Sequence, residues 1–184
     1  VRALVDSRRE ATTDPLTGLA NRRRFESEHA RMLLGDGGAP AVLLCDLDHF
    51  KLLNDTHGHE AGDTALVVFA DLLREVLRPQ DLLARIGGEE FAVLLPKTDA
   101  EAAMIVANRV RAAVAEQARE PDPPGTTVSI GVAPAGEGPA LADQLRAADA
   151  ALYAAKAAGR DIVVLAGSHV GAEPMDVAGP DHAG

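Results

Sequence analysis

The sequence predicts an α/β (α+β) fold, a mixed central β-sheet flanked by helices, on the strength of three features. Short apolar runs alternate with longer segments of helical periodicity, giving the order β, α, α, β, β, α, β, α, β after a leading helix. The run Ala41-Val42-Leu43-Leu44-Cys45 is apolar throughout, as in a strand covered on both faces. Two more runs, Asp81 to Ala84 and Ala92 to Pro96, are joined through Gly87-Gly88. This reads as an antiparallel hairpin, since glycine takes the positive φ of tight turns without strain. A hairpin inside an alternating order favours a mixed sheet with helices mainly on one face over a doubly wound parallel sheet.

In chain order, residues 1–13 are charged, with Val1, Leu4 and Val5 at helical spacing, and read as the end of a helix or linker from an upstream signalling element. Asp14-Pro15-Leu16-Thr17-Gly18-Leu19 is a turn with buried leucines. Asn21 N-caps a helix running to about Leu34, where Gly35-Asp36-Gly37-Gly38 stops it. The strand from Ala41 ends in Asp46-Leu47-Asp48, whose two carboxylates point to one side. Residues 56–63, with two Gly and two His, are a loop or an interrupted helix, and Thr64 to Leu77 is an amphipathic helix. After the hairpin come a helix from Thr98 to about Gln117, a loop from Pro121 to Gly125, and a β-rich run from Thr126 to Ala133. An alanine-rich helix from Ala140 to Ala157 is closed by Gly159, and Ile162 to Leu165 is the last strand. The polar, Gly- and Pro-rich residues 166–184 read as a disordered tail, leaving 14–165 as the one folded domain.

Hydrophobic residues make up 47% of the 184, with one Tyr, four Phe and no Trp, so the core is built of Leu, Val and Ala. A formal charge of 18 − 28 = −10 argues against a long nucleic acid or an anionic membrane as partner. The single Cys45 excludes an internal disulfide. No apolar run approaches a membrane span, and the N-terminus has no signal-peptide pattern, so a cytoplasmic location is expected.

The stretch Arg85-Ile86-Gly87-Gly88-Glu89-Glu90-Phe91 resembles the signature of GGDEF-domain diguanylate cyclases, in its GGEEF form. Five other stretches match in the same order: Asp14 to Arg23, Asp46 to Asp55, Gly58 to Asp63, Val128 to Val132, and Leu152 to Arg160. The resemblance spans residues 12 to 165 and implies a sheet like that of nucleotidyl cyclases and polymerase palms. It implies an enzyme that condenses two GTP into cyclic di-GMP and two pyrophosphates, using Mg²⁺ or Mn²⁺. Asp46, Glu89, Glu90 and Lys51 become the catalytic group. Asp46 and Glu89 are the metal's side-chain ligands and Leu47 a carbonyl ligand, with Glu90 an accessory or alternate carboxylate.

For the nucleotide, the resemblance points to backbone N–H groups of His49, Phe50 and Lys51 and to the cations Lys51, Lys156 and Arg160 as phosphate contacts. Asn54 and Asp63 become guanine readers, and a carboxylate at 63 favours GTP over ATP. Arg78-Pro79-Gln80-Asp81 matches an Arg-x-x-Asp product-inhibition site, with Arg109 as a second arginine. Asp161 stands where an Asn is usual. Asp48 is either a site carboxylate or a cap for the helix at Phe50. His57 and His59 are structural, Cys45 is core, Tyr153 packs under the last helix, and Arg85 has no assigned role. The implied partners are GTP, cyclic di-GMP as product and inhibitor, a second copy of the chain in an obligatory homodimer, and an upstream regulatory domain. The alternative is a catalytically idle domain that senses cyclic di-GMP or serves as a dimerisation module.

Overall fold

A computed structural model describes residues 12–119, 125–136 and 140–168. The expected upstream helix, apart from Thr12 and Thr13, and all but the first residues of the expected tail lie outside the described residues, as do residues 121–124 of the predicted loop. Thr13 is not helical: it forms an isolated antiparallel bridge to Ala20. Ala166 and Ser168 are still tied to the fold through bonds to Val132 and Leu165.

Among the described residues the elements are β1 (Ala20–Asn21), α1 (Arg22–Leu33), β2 (Ala41–Leu47), α2 (Phe50–His57), α3 (His59–Val76), β3 (Leu82–Arg85), β4 (Glu90–Leu95), α4 (Ala100–Gln117), β5 (Val128–Ala133), α5 (Leu141–Ala157) and β6 (Val163–Leu165). One sheet runs in the order β1-β3-β4-β2-β5-β6. The β2–β4, β2–β5 and β3–β4 pairs are antiparallel, while β1–β3 and β5–β6 are parallel, so the sheet is mixed as predicted.

The helices cover both faces, not mainly one. Leu43, Cys45, Phe91, Val93 and Ile130 join Leu66, Phe69, Val106 and Val110 of α3 and α4 in one core layer. Val42, Leu44, Ala92 and Leu94 join Phe25 of α1 and Ala148 and Leu152 of α5 in the other. The cause is visible in β2, where both alternating sets of side chains are apolar and each needs cover. Phe69 and Phe91 meet edge to face with ring centroids 4.7 Å apart. Gly131 lets α5 approach β5, because a Cβ there would run into the backbone at Ala148 and Leu152.

Asn21 caps α1 as expected, accepting from the Arg24 amide at 3.1 Å. The interrupted helix is real. Gly58, at φ 87°, separates α2 from an α3 that begins at His59, five residues before the predicted start at Thr64. The hairpin glycines differ from expectation: neither Gly87 nor Gly88 has a positive φ. The connection is longer than a tight turn, and Glu90 is already the first residue of β4 rather than part of the tip. The glycines supply room instead. A Cβ at 87 would strike the Glu90 carboxylate, and one at 88 would project into open space.

Candidate active site

The C-terminal end of β2 lies between β4 and β5, so Asp46 stands directly across from Glu90 on one side and Ser129 on the other. Asp46 is 7% exposed, and its Oδ1 lies 2.9 Å from Lys156 Nζ on α5. Burial pushes the Asp46 carboxyl above its usual range; Lys156 and Arg160 pull it down, and Asp48 pushes it further up. The net direction is upward. The backbone of Glu89 meets that of Leu47, whose amide donates to the Glu89 carbonyl at 3.4 Å. Asp46, Leu47, Glu89 and Glu90 are thus gathered at adjoining strand ends. Directly paired residues of an antiparallel ladder share a face, so Glu90 shares the side of Asp46. Glu89 is half-buried in the turn and Glu90 is exposed.

Asp48 does not cap α2. His49 holds the N-cap position in a left-handed conformation, φ 55°, and α2 has no side-chain cap. Asp48 is 1% exposed and accepts from Thr127 Oγ1 at 2.7 Å, Ser129 Oγ at 2.7 Å and the Asp161 amide at 3.0 Å. It anchors β5 and the Arg160–Asp161 turn, both of whose residues are left-handed, to the end of β2. Arg160 is therefore held near Asp46 by a carboxylate whose role the sequence leaves open. Asp161 itself pairs with Arg111 at 3.0 Å.

The uncapped first turn of α2 presents the amides of Phe50 and Lys51 without side-chain partners. Lys51 and Asp63 are exposed. Asn54 lies against Gly62 of α3, where a Cβ would collide with its Oδ1, and that buried oxygen has no hydrogen-bond partner. Asn54 and Asp63 thus sit on two helices joined at Gly58.

The Arg78–Asp81 turn is closed by Arg78 N donating to Asp81 Oδ2 at 2.9 Å and Asp81 N donating to the Arg78 carbonyl at 3.0 Å. Arg109, on α4, donates to the Val76 carbonyl at 2.7 Å. Burial raises the Asp81 pKa against the pull of both Arg78 and Arg109, so the three residues share one neighbourhood. A cleft beside this turn is lined also by Arg24, Arg31 and Lys97, cations that no motif had singled out.

Cys45 is a core residue as expected, its thiol pushed up to about 12 by burial and the Asp46 charge. Tyr153 does not pack under α5; it is 75% exposed. On a helix whose inner stripe is Ala148, Ala151, Leu152 and Ala155, position 153 falls outside the buried face. His57 and His59 are exposed on either side of Gly58.

Residues 11–162 match the sequence profile described as "Diguanylate cyclase, GGDEF domain". The chain belongs to the GGDEF family. Diguanylate cyclase DgcP of Pseudomonas aeruginosa is 47% identical over 165 residues, covering 86% of this chain and 24% of that protein. The chain thus spans about a quarter of this curated relative. Among solved structures, the coiled coil and GGDEF domain of DgcB from Caulobacter crescentus in complex with c-di-GMP matches at a TM-score of 0.79 and 36% identity, covering 90% of this chain and 91% of that one. The active GGEEF domain of a diguanylate cyclase from Vibrio cholerae matches at a TM-score of 0.72 and 32% identity, covering 82% and 99%. Among the described residues of this GGDEF domain, no helix is long and apolar enough to cross a membrane.

Proposed function

We propose that the chain is a working diguanylate cyclase domain in which two copies, each holding one GTP, face one another in the cytoplasm. The 3′-hydroxyl of each nucleotide attacks the α-phosphate of the other, giving cyclic di-GMP and two pyrophosphates. The observation that carries this reading is the meeting of the Asp46–Lys156 pair with the backbone of Glu89 at adjoining element ends, beside an uncapped helix start.

The donors suit Mg²⁺ or Mn²⁺: Asp46 and Glu89 offer hard carboxylate oxygens and Leu47 a carbonyl. Such a cation takes one or two protein carboxylates and has its shell completed by substrate phosphates. When bound, the cation would polarise the phosphate and lower the pKa of the attacking hydroxyl.

The chain's own residues do the rest. Lys156 pulls the Asp46 pKa down against burial and stands ready for phosphate oxygens. Lys51, Arg160 and the first amides of α2 receive the triphosphate. Asn54 and Asp63 hydrogen-bond the guanine edge, and the unpartnered Asn54 oxygen favours a ligand that brings a donor. Arg78, Asp81 and Arg109 bind product and restrain turnover, and an upstream domain sets the geometry of the dimer.

The test is incubation with GTP and Mg²⁺, chromatography of the products, and Glu89→Ala as control. Cyclic di-GMP from the wild type alone supports the reading. No dinucleotide even under forced dimerisation sinks it and leaves the sensor alternative, which rests on the intact Arg78–Asp81 turn.

A further inference from the structure

Arg85 has no part in the chemistry just described, yet it is among the most fully engaged side chains near the site. Its Nε and Nη2 both donate to the Gly88 carbonyl, at 3.1 and 2.8 Å. Its Nη1 lies 3.2 Å from each oxygen of Asp14, and both side chains are only 16% exposed. Asp14 is itself held by the Thr17 amide at 2.8 Å and the Thr17 hydroxyl at 2.7 Å. The Thr17 carbonyl in turn receives Arg74 of α3 at 2.5 Å.

We infer that Arg85, aligned by Asp14, is a positioning residue that fixes the Gly88–Glu89 peptide and so aims the Glu89 side chain. The geometry is specific. A planar guanidinium forks onto one carbonyl while its remaining face is locked by a carboxylate, which a lysine's single ammonium cannot reproduce. The peptide before Glu89 is gripped by Arg85 and the carbonyl after it by the Leu47 amide, so the residue is held on both sides. Arg22 of α1 takes the Ile86 carbonyl at the other shoulder of the turn, at 3.4 Å. The turn's own backbone closure is the donation of the Ile86 and Gly87 amides to the Glu90 carbonyl, at 2.9 and 3.2 Å, which leaves the Gly88 carbonyl to the clamp. Its meaning for catalysis rests on the cyclase reading, in which Glu89 is a metal ligand; the clamp itself is a property of the fold.

The experiment compares the full chain with Asp14→Asn, Arg85→Lys and the double variant. Amide exchange is followed without metal or nucleotide at Leu47, which donates to the Glu89 carbonyl, and at Ile86 and Gly87, which donate to the Glu90 carbonyl, against Leu43 and Leu44 in the central ladder. Mn²⁺ affinity and turnover at saturating metal follow. Each single variant should speed exchange at the three turn-linked amides by a larger factor than at the ladder amides, which follow only the change in global stability. Mn²⁺ affinity should fall about tenfold, the loss expected when a ligand's supporting partner is removed, and the double variant should be no worse than either single one. Unchanged turn amides, or uniform loosening of turn and ladder together, overturns the inference, as does an Arg85→Lys variant indistinguishable from wild type. If the turn amides respond as expected while the wild type makes no dinucleotide under forced dimerisation, the clamp stands and the assignment of Glu89 falls.

Discussion

The end of β2 and the Arg78–Asp81 turn each hold a partly buried aspartate among cations, but they are built differently. Asp46 sits on a central strand and relies on side chains from elsewhere: Lys156 from α5, and Asp48 with its three donors holding the Arg160 turn in place. Asp81 is satisfied by the backbone of its own turn, through the Arg78 amide. A site assembled from distant parts of the chain exists only in the folded domain, and damage to any part is felt throughout. A self-closing turn of four residues can be altered with little effect on its surroundings.

That contrast can be broken or sharpened by experiment. The largest effect is expected at the assembled site: Asp46→Asn should cost at least about a hundredfold in kcat, the scale for losing a group that stabilises developing charge, with cyclic di-GMP formation as the measurement. Lys156→Met should lower kcat/KM by about tenfold or more, as for loss of one charge-assisted contact. It should also shift the pH profile. Lys156 lowers the Asp46 pKa, so without it the carboxylate ionises only at higher pH and the acid limb of activity moves upward. A profile that stays in place would mean Lys156 does not govern Asp46.

Arg78→Ala tests the self-contained turn. Turnover at low product should stay within about twofold, as for surface changes away from the chemistry, while inhibition by added cyclic di-GMP should disappear. A large loss of basal rate would show that the two regions are not separable.

A smaller, thermodynamic effect is expected at Asp14. Burial works to raise its pKa, but hydrogen bonds from Thr17 and the Arg85 charge outweigh this and hold the carboxyl below its ordinary value of 3.8. A lowered carboxylate pKa contributes stability that is complete above the ordinary value and is lost as pH falls through the folded one. Asp14→Asn should therefore cost about 1–2 kcal/mol at neutral pH, seen in denaturant melts, with the difference from wild type shrinking in acid.

Most of the element order was legible because β2 and β4 are largely apolar, β5 is rich in Val and Ile, and the helices carry clean periodicity or a cap such as Asn21. Which faces the helices cover was harder, since that depends on how long strands are flanked in space. β1 escaped notice because two residues carry no periodic signal; only the parallel pairing of Ala20 with Ala84 reveals it. At the site, motif spacing found residues that project toward one end of the sheet. It did not find what Asp48 or Arg85 do, because the partners of the Asp48 side chain and the Asp14 carboxylate that aligns Arg85 lie 71 to 113 positions away in the chain. A hydrophilic residue buried by contacts at that range leaves no local trace.

The sheet's two margins are its shortest members, two residues in β1 and three in β6, while the seven-residue β2 is enclosed on both sides. Among the described residues, little unpaired ladder is left for a foreign strand to zip onto. Two such domains can therefore crowd together at high local concentration, meeting through loops and side chains, without sliding into the irreversible fibre-like association that longer open borders invite.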